Sequence, residues 1–175
     1  MTEPLKILYV AAEAAPLVKT GGLADVSYAL PRALRAMGHD CRVAIPAYGI
    51  IPESSWGEQV AACTAHMDVT LHGAIRRSVL PGSDVPLYLL EHNAYFGRTH
   101  PYGDYGHEYP DSLERFCFFC LALLDGIPRT GWVPDIVHCH DWHTAAIPAF
   151  INTRCIDHPV WSNKPTVFTI HNMAY

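Results

Sequence analysis

The chain has 175 residues, half of them apolar, and a formal net charge of −5. That length and apolar content are enough for one domain, 1–175, to bury a substantial core. Its charges are spread out, with no basic run longer than Arg76-Arg77, which excludes a nucleic-acid or anionic-membrane surface as the basis of function.

In chain order, the apolar run from Ile7 to Ala12 is interrupted by Glu13, and no cleavage pattern or long apolar stretch follows. It reads as a strand over Lys6–Ala11, not as a signal peptide or membrane span. The turn Pro16-Leu-Val-Lys19-Thr20-Gly21-Gly22-Leu23 then feeds a helix predicted over Leu23–Met37. Leu23, Val26, Leu30, Leu34 and Met37 form its apolar stripe, Pro31 predicts a kink, and Gly38 supplies the stop. A strand over Cys41–Pro46 follows. Between Ala62 and Glu91 the runs Val69–Leu71, Ile75–Leu80 and Val85–Leu90 are separated by His-Gly and Pro-Gly-Ser-Asp, which predicts antiparallel hairpin strands extending a parallel sheet.

Residues Asn93–Pro110 are rich in Gly, Tyr, His and Asp and predict a long, exposed, mobile loop. Asp111 and Glu114 have capping-box spacing at the start of an apolar helix over Asp111–Gly126. Within that helix Cys117 and Cys120 are three apart, so they read as small core hydrophobes and not as a redox or zinc pair. The six cysteines are irregularly spaced and no export signal is evident, which favours reduced, cytoplasmic thiols. The remaining pattern is a strand over Ile136–Cys139, a helix over Trp142–Arg154 and a strand over Thr166–Ile170. Strands alternating with helices make this an α/β chain with a Rossmann-like parallel sheet.

Three polar clusters follow three of these strands: Lys19 to Gly22, His140 to His143, and His171-Asn172. In an open parallel sheet the carboxyl ends of the strands share an edge, which is where such folds bind ligands. A glycine turn opening a helix also favours an anion. Each cluster has a plainer reading: the glycines as a tight turn, Asp141 as an N-cap, His171 as a hydrogen-bonded histidine without chemistry. Neither a dinucleotide fingerprint nor a P-loop is present. The spacing His138-x-His140-Asp141-x-His143 is similar to that of zinc hydrolases, but Trp142 stands between the Asp and the last His, so no metal site is expected.

Lys19-Thr-Gly-Gly-Leu-Ala-Asp-Val26 with Ala29-Leu-Pro31, Val137-His-Cys-His-Asp-Trp-His-Thr144 and Phe168-Thr-Ile-His-Asn-Met-Ala-Tyr175 resemble the three signature blocks of bacterial glycogen synthases and plant starch synthases. Tyr109-Pro-Asp with Arg115-Phe116 resembles the segment before that family's long apolar helix. The resemblance implies the N-terminal half of a GT-B glycosyltransferase, in which two Rossmann-like domains face across a cleft. The matched half mainly serves the glucan acceptor, and the C-terminal domain, which carries the nucleotide, is not matched, so Tyr175 stands as a boundary and the isolated chain is expected to be inactive. The implied reaction is retaining transfer of glucose from ADP-glucose to the 4-hydroxyl of an α-1,4-glucan, with the C-terminal domain of the same enzyme as partner. The resemblance implies that Lys19, Gly21, Gly22 and Asn172 bind ADP-glucose, that His171 and Asp141 lie against the glucosyl unit, and that Asp25, His140 and Tyr102 support them. No D-x-D is present and no cofactor is expected. The competing readings are a zinc hydrolase built on His138–His143 and a non-catalytic carbohydrate-binding domain.

Overall fold

A computed structural model describes residues 3–172; Met173, Ala174 and Tyr175, which end the third signature block, lie outside the described residues. The core is a seven-stranded sheet. In chain order its strands are β1 Lys6–Val10, β2 Asp40–Pro46, β3 Glu58–His66, β4 Thr70–Val79, β5 Pro86–Glu91, β8 Ile136–His140 and β9 Thr166–Thr169. The spatial order is β3-β4-β5-β2-β1-β8-β9. From β5 to β9 neighbouring strands are parallel, whereas β3 and β4 pair antiparallel and extend the sheet beyond β5. Strand β1, the middle of the five parallel strands, is buried from Ile7 to Val10, as expected where helices cover both faces of a parallel sheet.

Helix α1 spans Gly22–Ala36 and continues through Pro31 for a further turn. It ends as the sequence expects. Gly38 adopts φ 95°, its N–H reaches the Arg35 carbonyl at 2.9 Å, and the His39 N–H reaches Leu34 at 3.1 Å, the paired bonds of a Schellman stop. Helix α3, Ser112–Arg129, is the principal apolar helix and buries Phe116, Phe118, Phe119, Leu123 and Ile127. Cys120 is fully buried on it and Cys117 half-buried.

Several expectations are corrected. His72-Gly73 is not a turn, because Val69–Leu71 and Ile75–Leu80 belong largely to the single strand β4, paired across Cys63↔Gly73 with the unanticipated strand β3. A Cβ at Gly73 would lie 2.8 Å from the Glu91 carbonyl oxygen and 3.3 Å from Phe118, so the glycine marks a close approach within the strand. Segment 93–110 is not a free loop. Helix α2, Asn93–Phe96, inserts Phe96 among Phe116, Phe118 and Phe119, and β6 Gly103–Asp104 pairs with β7 His107–Glu108. The expected exposure does hold for most of the segment, Tyr105 at the hairpin tip above all, while Tyr95, Phe96 and Pro101 are buried. The capping box does not form, since Asp111 pairs with Arg98 and Glu114 accepts the Tyr95 hydroxyl. The helix expected from Trp142 begins as a 3-10 turn, Trp142–Thr144, before α4 Ala146–Thr153. Among the described residues no helix is long and apolar enough to cross a membrane.

Candidate active site

The loops after β1, β8 and β9 converge on one cleft of about 530 Å³, lined by Glu13, Thr20 to Leu23, Val26, Tyr102, Asp141, His143, His171 and Asn172. The parallel strands dictate this, because their carboxyl ends all emerge on one side.

Glu13 forms the floor. It is buried, and Oε2 accepts the Thr20 N–H at 2.6 Å, while Oε1 accepts the Thr20 hydroxyl at 2.7 Å and the Tyr102 hydroxyl at 2.6 Å. One carboxylate thereby ties the glycine turn to segment 93–110. Its sequence signal was the single acid inside the apolar run Ala11–Ala15, an unfavourable place for a charge unless donors surround it.

Above it lies the N-terminus of α1. No side chain caps it, and a Cβ at Gly21 or Gly22 would meet nothing within 4 Å. The protein's own packing therefore does not demand glycine here, and the turn leaves open space beside N–H groups that no intrahelical carbonyl can satisfy. Lys19 sits at the mouth and not in the lining. Its ammonium is 2.7 Å from Asp25, both side chains being more than half exposed.

Asp141 follows β8 with φ 59° and ψ 177°, a region costly for any residue but glycine. That backbone turns the carboxylate toward the loop after β9, where Oδ1 accepts the His171 N–H at 2.7 Å and faces the Asn172 N–H at 3.4 Å. The loop is also fixed through imidazoles. His140 Nδ1 is 2.8 Å from His171 Nε2, and His138 Nε2 is 2.8 Å from the Thr169 hydroxyl. Burial, reinforced by His138 and His171, pushes the His140 pKa down to about 2.

His143 also lines the cleft but is held by aromatic rings. It is packed against Trp142, Phe116 and Tyr102 with ring centroids 4.2, 4.7 and 5.0 Å away. Burial pushes its pKa down to about 4 despite nearby Asp141. The His140 ring instead stacks on Tyr9, and the His138 ring packs at a tilt against both. The three imidazoles of the zinc-like spacing thus do not meet, and among the described residues no three His, Cys, Asp or Glu side chains are grouped to hold a metal ion.

A second cleft of about 500 Å³ adjoins the first through Tyr102 and His143, walled by Trp142, His100 and the hairpin from Gly103 to Glu108. The structure therefore brings Gly21, Gly22, Tyr102, Asp141, His171 and Asn172 into one cleft lining, puts His140 behind it and leaves Lys19 and Asp25 at its rim.

Fold and site together define an α/β domain of the Rossmann-like kind with a candidate ligand cleft: a polar cleft at the carboxyl edge of a parallel sheet, with an open helix N-terminus beside a carboxylate and an imidazole. Residues 6–175 match the family described as the starch synthase catalytic domain, and the chain belongs to that family. It is 43% identical over 174 residues to a glycogen synthase of Geotalea daltonii and 45% identical over 174 residues to glycogen synthase 2 of Geobacter metallireducens. Each match covers 98% of this chain but 36% of the relative, so the chain spans little more than a third of those proteins. Among solved structures it resembles the catalytic domain of starch synthase IV from Arabidopsis thaliana bound to ADP and acarbose. The TM-score is 0.84 at 29% identity, covering 99% of this chain and 35% of that one.

Proposed function

We propose that this chain is the acceptor-side domain of a cytoplasmic, retaining glucosyltransferase that moves glucose from ADP-glucose to the 4-hydroxyl of an α-1,4-glucan. The observation that carries the reading is the continuity of the two clefts. One offers an open helix N-terminus with Asp141 and His171, and the other offers the aromatic wall of Trp142 and Tyr102. A departing diphosphate needs positive charge and oriented N–H groups, the roles assigned to Lys19 and the Gly21-Gly22 turn, with Asp25 holding the ammonium. Asp141 orients the backbone of His171 and Asn172, and these two face the glucosyl unit. The acceptor glucan lies along the aromatic cleft. A second domain, of the kind that makes up the remaining length of the relatives, closes the nucleotide side, and the isolated chain does not turn over.

The test is a titration of the 175-residue chain with maltoheptaose, followed by tryptophan fluorescence, alongside an assay of ADP release from ADP-glucose and glycogen. The reading expects a saturable signal that Trp142→Phe abolishes, and no ADP release by the chain alone. Robust glucosyl transfer by the isolated chain would refute the division of labour. Maltoheptaose binding that ignores Trp142 would refute the acceptor path.

A further inference from the structure

His140 is fully buried between the Tyr9 ring, stacked at 3.9 Å, and the His138 ring at 4.1 Å. Its two ring nitrogens have unequal surroundings. Nδ1 lies 2.8 Å from His171 Nε2 and 3.4 Å from the Tyr9 hydroxyl, whose own proton goes to Ser27 Oγ at 3.3 Å. Nε2 is buried and meets no hydrogen-bond partner among the described residues.

A neutral imidazole has one N–H to place. On His140 Nε2 it would be a buried donor without an acceptor, which loses its hydration and gains nothing in return. On Nδ1 it is donated to His171 Nε2, and only a lone pair of His140 goes unused. Burial beside two other imidazoles also keeps the ring neutral. His171 must then accept through Nε2 and carry its own proton on Nδ1, the ring nitrogen that His140 does not engage. Because His171 lines the cleft, that nitrogen is the one left for a ligand.

We propose that His140 is a positioning residue that locks His171 in the Nδ1–H tautomer, so that His171 offers a bound ligand a hydrogen-bond donor and not a basic lone pair. The ligand atom it suits is an uncharged acceptor oxygen, such as a sugar hydroxyl. His171 is thereby a poor general base at that position. Only the identity of the sugar rests on the proposed function; the tautomer does not.

Long-range proton–nitrogen correlation spectra of the isotope-labelled chain near neutral pH, without ligand, read the tautomer of each histidine, with His171→Gln assigning the His171 signals. The expected spectrum shows Nδ1–H for both His140 and His171. His140→Asn places an amide N–H near the Nδ1 position and should preserve the His171 tautomer. His140→Phe keeps the stack on Tyr9 but removes the donor, and should shift His171 toward Nε2–H. In the full-length enzyme the Phe variant should lower kcat by on the order of 10-fold or more with KM little changed, since a mispositioned proton penalises the reacting complex. The Asn variant should recover most of that loss. A wild-type His171 carrying its proton on Nε2 would overturn the proposal, as would a folded His140→Phe variant with an unaltered His171 tautomer. If the Phe variant does not fold, the wild-type spectrum decides. The expected tautomers in a protein that never turns over ADP-glucose would refute the functional reading and leave this one standing.

Discussion

Asp141 combines a backbone conformation that disfavours any side chain with a carboxylate that the neighbouring loop needs, and three substitutions separate the two. The conformation, φ 59° and ψ 177°, costs about 1–3 kcal/mol for a residue other than glycine. The bond from the His171 N–H at 2.7 Å is charge-assisted and contributes about 1.5–3 kcal/mol, and the 3.4 Å contact with Asn172 adds little. Asp141→Ala keeps the strain and loses the bond, so stability should fall by about 1.5–3 kcal/mol. Asp141→Gly loses the same bond but releases the strain, offset by about 0.5–1 kcal/mol of extra unfolded-state entropy. The glycine variant should therefore be more stable than the alanine variant by on the order of 1 kcal/mol, the middle of the roughly 0–2.5 kcal/mol the two ranges leave. Asp141→Asn retains an acceptor oxygen and should lose about 1 kcal/mol or less. Urea denaturation measures all three, and an alanine variant as stable as the glycine variant would refute the strain argument. Stability and function should part company here. Gly and Ala should both lose most glucosyl transfer in the full-length enzyme, because each releases the backbone of His171.

Lys19→Ala should lower kcat/KM for ADP-glucose by on the order of 10²-fold if its charge acts on the leaving diphosphate, with Lys19→Arg rescuing only partly. Its exposed pair with Asp25 gives no reason for a change in thermal midpoint, and near-normal kcat/KM in Lys19→Ala would remove the phosphate role. Glu13→Gln cannot keep both oxygens as acceptors for Thr20 and Tyr102, so calorimetry should show a loss of about 1–3 kcal/mol, or about 2–4 °C for each kcal/mol. The folded pKa of His143, about 4, lies below the ~6.5 of an unfolded histidine. Its contribution is therefore complete above about pH 6.5 and is lost as pH falls toward 4, removing about 2 kcal/mol between roughly pH 7 and 5. His143→Phe should flatten the stability profile across that interval, and an unchanged slope would show that His143 is not held neutral by burial.

Much of the architecture was legible because it rests on local periodicity. The stripe from Leu23 to Leu34 and the stop at Gly38 gave α1 nearly its observed bounds, and the β-branched and aromatic runs gave β1, β2, β5, β8 and β9. Strand β3 was missed because Ala61, Ala62 and Ala65 dilute its alternation, and β4 was split at Gly73, where the crowding that requires a glycine comes from Phe118 and Glu91. Such crowding is tertiary and leaves no local trace. For the same reason the Asp111–Glu114 spacing misled: Arg98 and Tyr95, from a segment read as a loop, offer those carboxylates better partners than the backbone. Phe96 was the available clue that this segment has an anchor. At the site, the convergence of three loops followed from parallel strands, but the bonding of Glu13 to Tyr102 spans 89 residues and depends on how segment 93–110 folds back. Lys19 was expected to bind ADP-glucose; in the structure its ammonium pairs with Asp25, one turn into α1, at the rim of the cleft, a pairing across the helix start that the glycine turn did not signal.

Whether this cleft transfers glucose from a nucleotide donor to a glucan is read directly by labelled-glucose incorporation. The full-length protein containing this chain should be incubated with glucose-labelled ADP-glucose and glycogen, with wild type and His171→Ala compared. Label should appear in α-1,4 linkage at non-reducing ends, dependent on both substrates, with incorporation by His171→Ala reduced by on the order of 10²-fold or more. Absence of incorporation by a folded wild-type protein, or equal incorporation by His171→Ala, would contradict that role of the cleft.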